Sequence, residues 1–76
     1  MNRTEFITGL KEQLEIEAKL TEHTNIKELD EWDSMNAMVL IAYVADNFGI
    51  NLNAEDLKKI TTINSLIEKI GIDKLD

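Results

Sequence analysis

The sequence contains no cysteine, and it has no apolar run of about twenty residues. Without cysteine the chain can form neither a disulfide nor a thiolate metal site, so any thiol chemistry must come from an attached group. Without the long apolar run we expect no membrane insertion. The residues after Met1 also lack the basic and apolar regions of a signal peptide. These absences together predict a soluble, cytoplasmic protein.

Basic residues are scarce as well: Lys and Arg number 8 against 15 Asp and Glu, and the formal net charge is −7. A negative charge opposes binding to the phosphates of nucleic acid and to anionic lipid. We therefore expect no nucleic-acid partner, and we expect protein partners with basic surfaces. The 76 residues predict a single domain, 1–76, and a monomer, with too little core for a deep catalytic pocket.

Apolar residues recur at helical spacing near the start of the chain. Asn2 and Glu5 form a capping-box pattern and predict a first helix at about residues 3–17. The sequence does not define where this helix ends, because apolar residues alternate with polar ones over 14–20, as in an extended chain. The polar stretch 21–31 contains neither proline nor glycine and predicts an ordered loop with a short helical turn near 25–29.

The second half of the sequence predicts three further helices. The first of them runs from Ser34 to Phe48 and is followed by Gly49, a typical C-terminal residue. A short third helix at 54–59, capped by Asn53, should bury Leu57 and Ile60, and a last helix should follow Thr62 and stop at Gly71, before a frayed tail at 72–76. The expected fold is all-α: three long helices, one short third helix and a long loop between helices 1 and 2. The core face of helix 2 is predicted to contain Ala37, Leu40, Ile41, Val44 and Phe48.

The segment Asp33-Ser34-Met35 opens helix 2 and is the most informative part of the sequence. Asp33 is a good N-cap, since its carboxylate can accept hydrogen bonds from the first free N–H groups of the helix. Ser34 would then be the first helical residue, presented beside free N–H donors and the positive end of the helix dipole. That position is favourable for a phosphate ester on the serine oxygen.

The Asp-Ser-Met start, the apolar helix after it and the Phe48-Gly49-Ile50 ending resemble the acyl carrier protein family. The resemblance covers the whole chain and includes Asp56-Leu57 and the segment 60–63. It implies a four-helix bundle of the carrier type and a covalent 4'-phosphopantetheine arm on Ser34. It also implies that Asp33 contacts a separate phosphopantetheinyl transferase, which supplies the base and Mg²⁺. Trp32 before the motif resembles stand-alone carriers of specialised pathways.

This resemblance implies a protein without catalytic activity that holds acyl groups as thioesters and delivers them to partner enzymes. The partners would be the transferase, an acyl-loading ligase or synthase, and acyl-transfer enzymes of fatty acid, polyketide or other specialised acyl metabolism. The phosphodiester would add negative charge beside Asp30, Glu31 and Asp33, and repulsion should keep the arm off the surface.

Two further surfaces are predicted around helix 2. The outer face is unusually apolar where many family members are acidic, and we interpret it as a partner-binding surface, with partial cover of Met38 and Ala42 by helix 3 or the loop as the alternative. Its residues are Met35, Met38, Val39, Ala42 and Asp46. Cargo could lie in a cleft between helices 2 and 3, lined by Leu40, Val44, Leu57, Ile60 and Ile63.

Other functions fit the same residues. An aminoacyl or peptidyl carrier would need little buried acyl pocket. An unmodified helical adaptor would bind a partner through the Met35, Met38 and Val39 face. A hydrolase using Ser34 and the lone His23 is disfavoured, because the strand-to-helix elbow of such nucleophiles is missing. No metal site is predicted, since the acidic residues 30–33 lack the glycine and distal glutamate of an EF-hand.

Overall fold

The computed structural model describes residues 1–75, which form four α-helices and two 3₁₀ turns. The helices are α1 (Arg3–Gln13), α2 (Ser34–Phe48), α3 (Ala54–Lys59) and α4 (Ile63–Ile70), and the 3₁₀ turns are Ile26–Glu28 and Ile72–Lys74. The expected all-α bundle with a short third helix is confirmed. No helix among these residues is both long and apolar enough to span a membrane.

Helix α1 begins as the sequence predicts but ends earlier. The Glu5 N–H donates to Asn2 Oδ1 over 2.8 Å, and the Asn2 N–H donates to Glu5 Oε1 over 3.1 Å, which completes the capping box. The helix ends at Gln13 rather than near residue 17, because Glu15 adopts a left-handed conformation with φ of 55°. No regular structure follows it up to residue 20, and the alternating residues Leu14, Ile16 and Leu20 are all buried.

The long loop is held in place by backbone hydrogen bonds to the segment that leads into α4. The Ile26 N–H donates to the Thr61 carbonyl over 2.8 Å, and the Ile63 N–H donates to the Thr24 carbonyl over 3.0 Å. Ile26 itself is fully buried. The loop is therefore ordered without glycine or proline, and the predicted helical turn is present at Ile26–Glu28.

Helix α2 runs from Ser34 to Phe48, as predicted, and Gly49 ends it with a left-handed φ of 68°. On its core face Leu40 and Val44 are fully buried, whereas the other three predicted residues are half-buried. The core as a whole is closed, and its largest fully buried side chains are Phe6, Leu10, Leu14, Ile26, Leu40, Ile60, Ile63, Leu66, Ile67 and Val44.

Two expectations for the C-terminal part are wrong. Leu57 is only half-buried, because α3 is a short surface helix that contributes no fully buried residue of its own, although Ile60 just after it is buried. The predicted frayed tail instead forms a 3₁₀ turn, and Leu75 packs into the core with 4% of its surface exposed. The last residue of that tail, Asp76, lies outside the described residues.

An ion pair fixes α3 against α4. Lys69 Nζ lies 2.8 Å from Asp56 Oδ1, and Asp56 also accepts a hydrogen bond from the Asn53 N–H through Oδ2, over 3.1 Å. The Lys69 ammonium group and, secondarily, this N–H hold the pKa of the Asp56 carboxyl below its usual value. The short third helix is thus tied at its first turn to the longer helix that follows it.

Candidate functional site

Ser34 is the first residue of α2, and its side chain is exposed. Asp33 precedes it as an extended N-cap whose Oδ1 accepts the Asn36 N–H over 2.8 Å. The Asp33 carbonyl accepts the first intrahelical bond, from the Ala37 N–H, over 2.9 Å. The N–H groups of Ser34 and Met35 therefore stand in the first turn, where a helix offers no carbonyl partner. The hydroxyl is presented at the positive end of the helix, as the sequence predicts.

Asn36 holds this helix start against the loops. Its side-chain amide donates to the carbonyl of Glu31 over 2.6 Å and to the carbonyl of Leu14 over 3.1 Å. Glu31 in turn accepts the Glu17 N–H through Oε2 over 3.0 Å. The sequence gives no signal for this role of Asn36, because its partners lie on two separate loop segments whose approach no local pattern indicates.

A pocket of about 420 Å³ opens beside Ser34, between the first 3₁₀ turn, the start of α2 and α3. Its lining combines apolar, cationic and acidic side chains: Lys27, Trp32, Asp33, Ser34, Ala37, Leu57 and Lys58. Lys27 spans one side of it, since its Nζ donates to the Lys58 carbonyl over 3.3 Å. Lys27 and Lys58 carry no signal in the sequence, because they come together only when the loop folds onto α3.

The five predicted cleft residues divide between the core and this pocket. Leu57 lines the pocket. The other four are at most 2% exposed and lie in the closed core: Leu40, Val44, Ile60 and Ile63. A cleft that used all five would require these four buried side chains to move apart.

The outer face of α2 is exposed. Met35 is 73% exposed and Met38 is 70% exposed, and Ala42 and Asp46 are exposed as well. The alternative in which helix 3 or the loop covers Met38 and Ala42 is therefore wrong. Val39 differs from its neighbours, because it is half-buried and packs against the core.

The hydrolase interpretation gains no geometric support. His23 is an exposed loop residue that does not line the pocket beside Ser34. Over residues 1–75, moreover, no three histidine or acidic side chains come together in a way that could hold a metal ion. The acidic residues before α2 act through hydrogen bonds to backbone N–H groups, as Asp33 and Glu31 show.

Comparison with protein families identifies a match over most of the chain. A family model described as a phosphopantetheine attachment site matches residues 4–70, from the first turn of α1 to the last residue of α4. Comparison with curated proteins and with solved structures yields no match.

Proposed function

The chain belongs to the phosphopantetheine attachment family, and from this premise we propose that it is an acyl carrier protein with its arm on Ser34. Domains of this family are the attachment site of covalently bound 4'-phosphopantetheine. The observation that carries the assignment to Ser34 is the exposure of this hydroxyl on the first residue of α2, directly after the capping carboxylate of Asp33.

The residues around Ser34 fit the group. Ser34 is exposed, the adjoining pocket offers about 420 Å³, and two lysines are among the residues that line it. Free N–H groups and the helix dipole favour negative charge at this end of α2. When bound, the arm supplies a terminal thiol for thioester formation, which the cysteine-free chain lacks.

The attachment reaction divides between this chain and a transferase. The Ser34 oxygen forms a bond to the β-phosphorus of coenzyme A, and the phosphorus–oxygen bond to the adenosine bisphosphate leaving group breaks. Asp33 Oδ1 already accepts the Asn36 N–H and serves as the helix cap. We therefore assign the base that takes the serine proton, and the Mg²⁺, to the transferase.

The proposed carrier has no catalytic activity of its own. It accepts acyl groups from a loading ligase or synthase and presents them to acyl-transfer enzymes of fatty acid, polyketide or other specialised acyl metabolism, in the cytoplasm and as a monomer. The pocket beside Ser34 supports this assignment, since it gives a bound arm open space next to the proposed attachment residue.

We assign partner docking to the outer face of α2, centred on Met35 and Met38. Both lie within one turn of Ser34 and are more than two-thirds exposed, so an enzyme bound there would also face the arm. Flexible Met side chains suit several different partners. The expected complement is an apolar depression on the enzyme with basic groups at its rim, because the chain is acidic and Asp46 is exposed on the same face.

Intact mass tests the attachment. The protein is incubated with coenzyme A, Mg²⁺ and a transferase shown to be active on a control carrier, beside Ser34→Ala and Ser65→Ala. Ser65 is the matched control, as it is the other serine of the chain and lies on α4. We expect one phosphopantetheine adduct on the wild type and on Ser65→Ala, and none on Ser34→Ala. A folded wild type without an adduct would overturn the proposal.

The exposed methionines also support a second candidate function, an unmodified helical adaptor that binds its partner through Met35, Met38 and Val39. An adaptor would bind with unchanged affinity when Ser34 is replaced by alanine and would gain no adduct. The adduct experiment therefore separates the two functions.

A further inference from the structure

We propose that the pocket beside Ser34 binds the first part of the attached arm, with Lys27 and Lys58 holding its phosphodiester. Trp32 and Leu57 would pack against the dimethyl-substituted carbon chain that follows the phosphate. The inference rests on the proposed attachment at Ser34, and it assigns to the pocket a role as a docking site for the arm itself.

The position of Lys27 is the first argument. Its ammonium group donates to the Lys58 carbonyl over 3.3 Å and is thereby held across the gap between the 3₁₀ turn and α3. An ammonium group has three N–H donors, so two remain for an anion. Because Ser34 lines the same pocket, a phosphate on its oxygen would lie at the edge of a space that both lysines border.

The acidic groups of Glu31, Asp33 and Glu55 keep their negative charge, but each makes a hydrogen bond or ion pair of its own. The Asp33 carboxylate, which also lines the pocket, accepts the Asn36 N–H, and Glu31 Oε2 accepts the Glu17 N–H. Lys58 is paired with Glu55 only loosely, at 3.7 Å, with both side chains 75% exposed. The sequence predicted repulsion of the phosphate by acidic neighbours, whereas the folded chain adds two lysines on the pocket side of Ser34.

The remaining lining matches the chemical groups of the arm. In 4'-phosphopantetheine the phosphate is followed by a carbon that bears two methyl groups, and then by amides. The pocket places cationic side chains beside an apolar wall of Trp32, Ala37 and Leu57. A volume of about 420 Å³ lies within the range of roughly 300–1,000 Å³ that is typical of ligand pockets. Since the arm is tethered to Ser34, even weak contacts act at a high effective concentration.

The fluorescence of Trp32 reports on whether the arm occupies the pocket, because Trp32 lines the pocket and is the single tryptophan of the chain. Quenching of its fluorescence by acrylamide is measured on apo and holo protein, and the mass spectrum of each sample confirms its modification. The same pair is prepared for the double variant Lys27→Gln/Lys58→Gln and for Lys19→Gln. Lys19 is an exposed lysine that does not line the pocket.

We expect the quenching constant of the wild type and of Lys19→Gln to fall when the arm is attached, because the docked arm shields the indole ring. This fall should be lost in the double variant, and it should shrink at about 1 M salt, where the screening length is about 3 Å. The ³¹P signal of the holo protein should shift between wild type and the double variant, and remain in place for Lys19→Gln.

Equal quenching of apo and holo wild type, with the adduct present by mass, would overturn this inference and leave the proposed attachment standing. A fall that survives both the double lysine replacement and high salt would overturn the role of the lysines. A missing adduct would instead show failure of the attachment at Ser34, so the two proposals fail in different ways.

Discussion

The side-chain amide of Asn36 donates to the main-chain carbonyl of Glu31 over 2.6 Å, the shortest hydrogen bond that ties α2 to the loop before it. The same amide reaches the Leu14 carbonyl over 3.1 Å. Two loop segments thus converge on the helix turn that carries Ser34. The orientation of the candidate attachment residue depends on an amide two residues further along the chain.

Replacement of Asn36 should therefore destabilise the fold. We expect Asn36→Ala to lower the free energy of unfolding by about 1–3 kcal/mol, because two partly buried carbonyl groups lose their donor. Asn36→Asp should be no better, since a carboxylate cannot donate and would face both carbonyl oxygens. Urea unfolding measures the effect. The matched control is Asn47→Ala, whose amide donates to the Tyr43 carbonyl at an exposed site and should change stability by about 0.5 kcal/mol or less.

The pair Asp56–Lys69 predicts a pH dependence of stability. The pKa of the Asp56 carboxyl is lowered in the folded protein, chiefly by the hydrogen bond from Lys69 at 2.8 Å. A lowered folded pKa means that the ionised pair stabilises the fold above the unfolded value of about 3.9, and that this contribution is lost as the pH falls through the folded value. The stability difference between wild type and Lys69→Gln should therefore be largest near neutral pH and shrink below about pH 4.

Urea unfolding of both proteins at about pH 7 and about pH 3 checks this expectation. Lys59→Gln is the control, because Lys59 acts on Asp56 only through the weakest of the lowering effects. A difference between wild type and Lys69→Gln that is independent of pH would show that Lys69 contributes through packing rather than through the charge of Asp56.

Gly9 and Tyr43 are coupled at the contact of α1 with α2. A Cβ atom at Gly9 would collide with the Tyr43 hydroxyl, which donates to the Phe6 carbonyl over 3.2 Å. Gly9→Ala should thus destabilise the protein although alanine favours a helix by about 1 kcal/mol. In the Tyr43→Phe background the colliding oxygen is absent, so the same replacement should cost less by at least about 0.5 kcal/mol in a double-mutant cycle. Additive effects would contradict the predicted collision.

Local sequence patterns predicted most of the fold. The caps at Asn2, Asp33, Asn53 and Thr62 are side chains that bond within three residues, so their positions can be inferred from the sequence alone. The end of α1 was missed because it depends on the left-handed conformation of Glu15, a residue type that gives no signal for it. The burial of Leu75 was missed because it depends on packing against residues that are distant in the sequence.

The candidate site, too, could be predicted only in part from the sequence. The position of Ser34 on α2 follows from the cap of one neighbouring residue, and the sequence predicted it. The pocket beside it brings together Lys27, Trp32 and Leu57 from three segments, and this depends on the backbone bonds between the loop and residues 61–63. No local sequence pattern indicates those hydrogen bonds, so the pocket could not be inferred from the sequence.

Replacements on the outer face of α2 should weaken partner binding without changing the stability of the fold. Met35→Gln and Met38→Gln should change the free energy of unfolding by about 0.5 kcal/mol or less, because both side chains are at least 70% exposed. They should nevertheless lower kcat/KM for modification by the transferase, mainly through a higher KM, if this face docks on the enzyme. Ala18→Gln, at an exposed loop position, is the control. An unchanged kcat/KM in both Met variants would show that the transferase does not dock on this face.

A cavity made by mutation in the core can test whether the predicted cleft accepts an acyl chain. Leu40 is fully buried, and Leu40→Ala should cost about 2–5 kcal/mol because it leaves a void in the core. If the cleft between α2 and α3 accepts cargo, a medium-length saturated acyl chain on the arm should fill that void and recover part of the lost Tm. Leu10→Ala creates a comparable void beside α1, outside the predicted cleft, and should recover less. Equal Tm shifts on acylation in both variants and in the wild type would show that the acyl chain lies outside the core. That result would favour an aminoacyl or peptidyl cargo, which needs no buried chain.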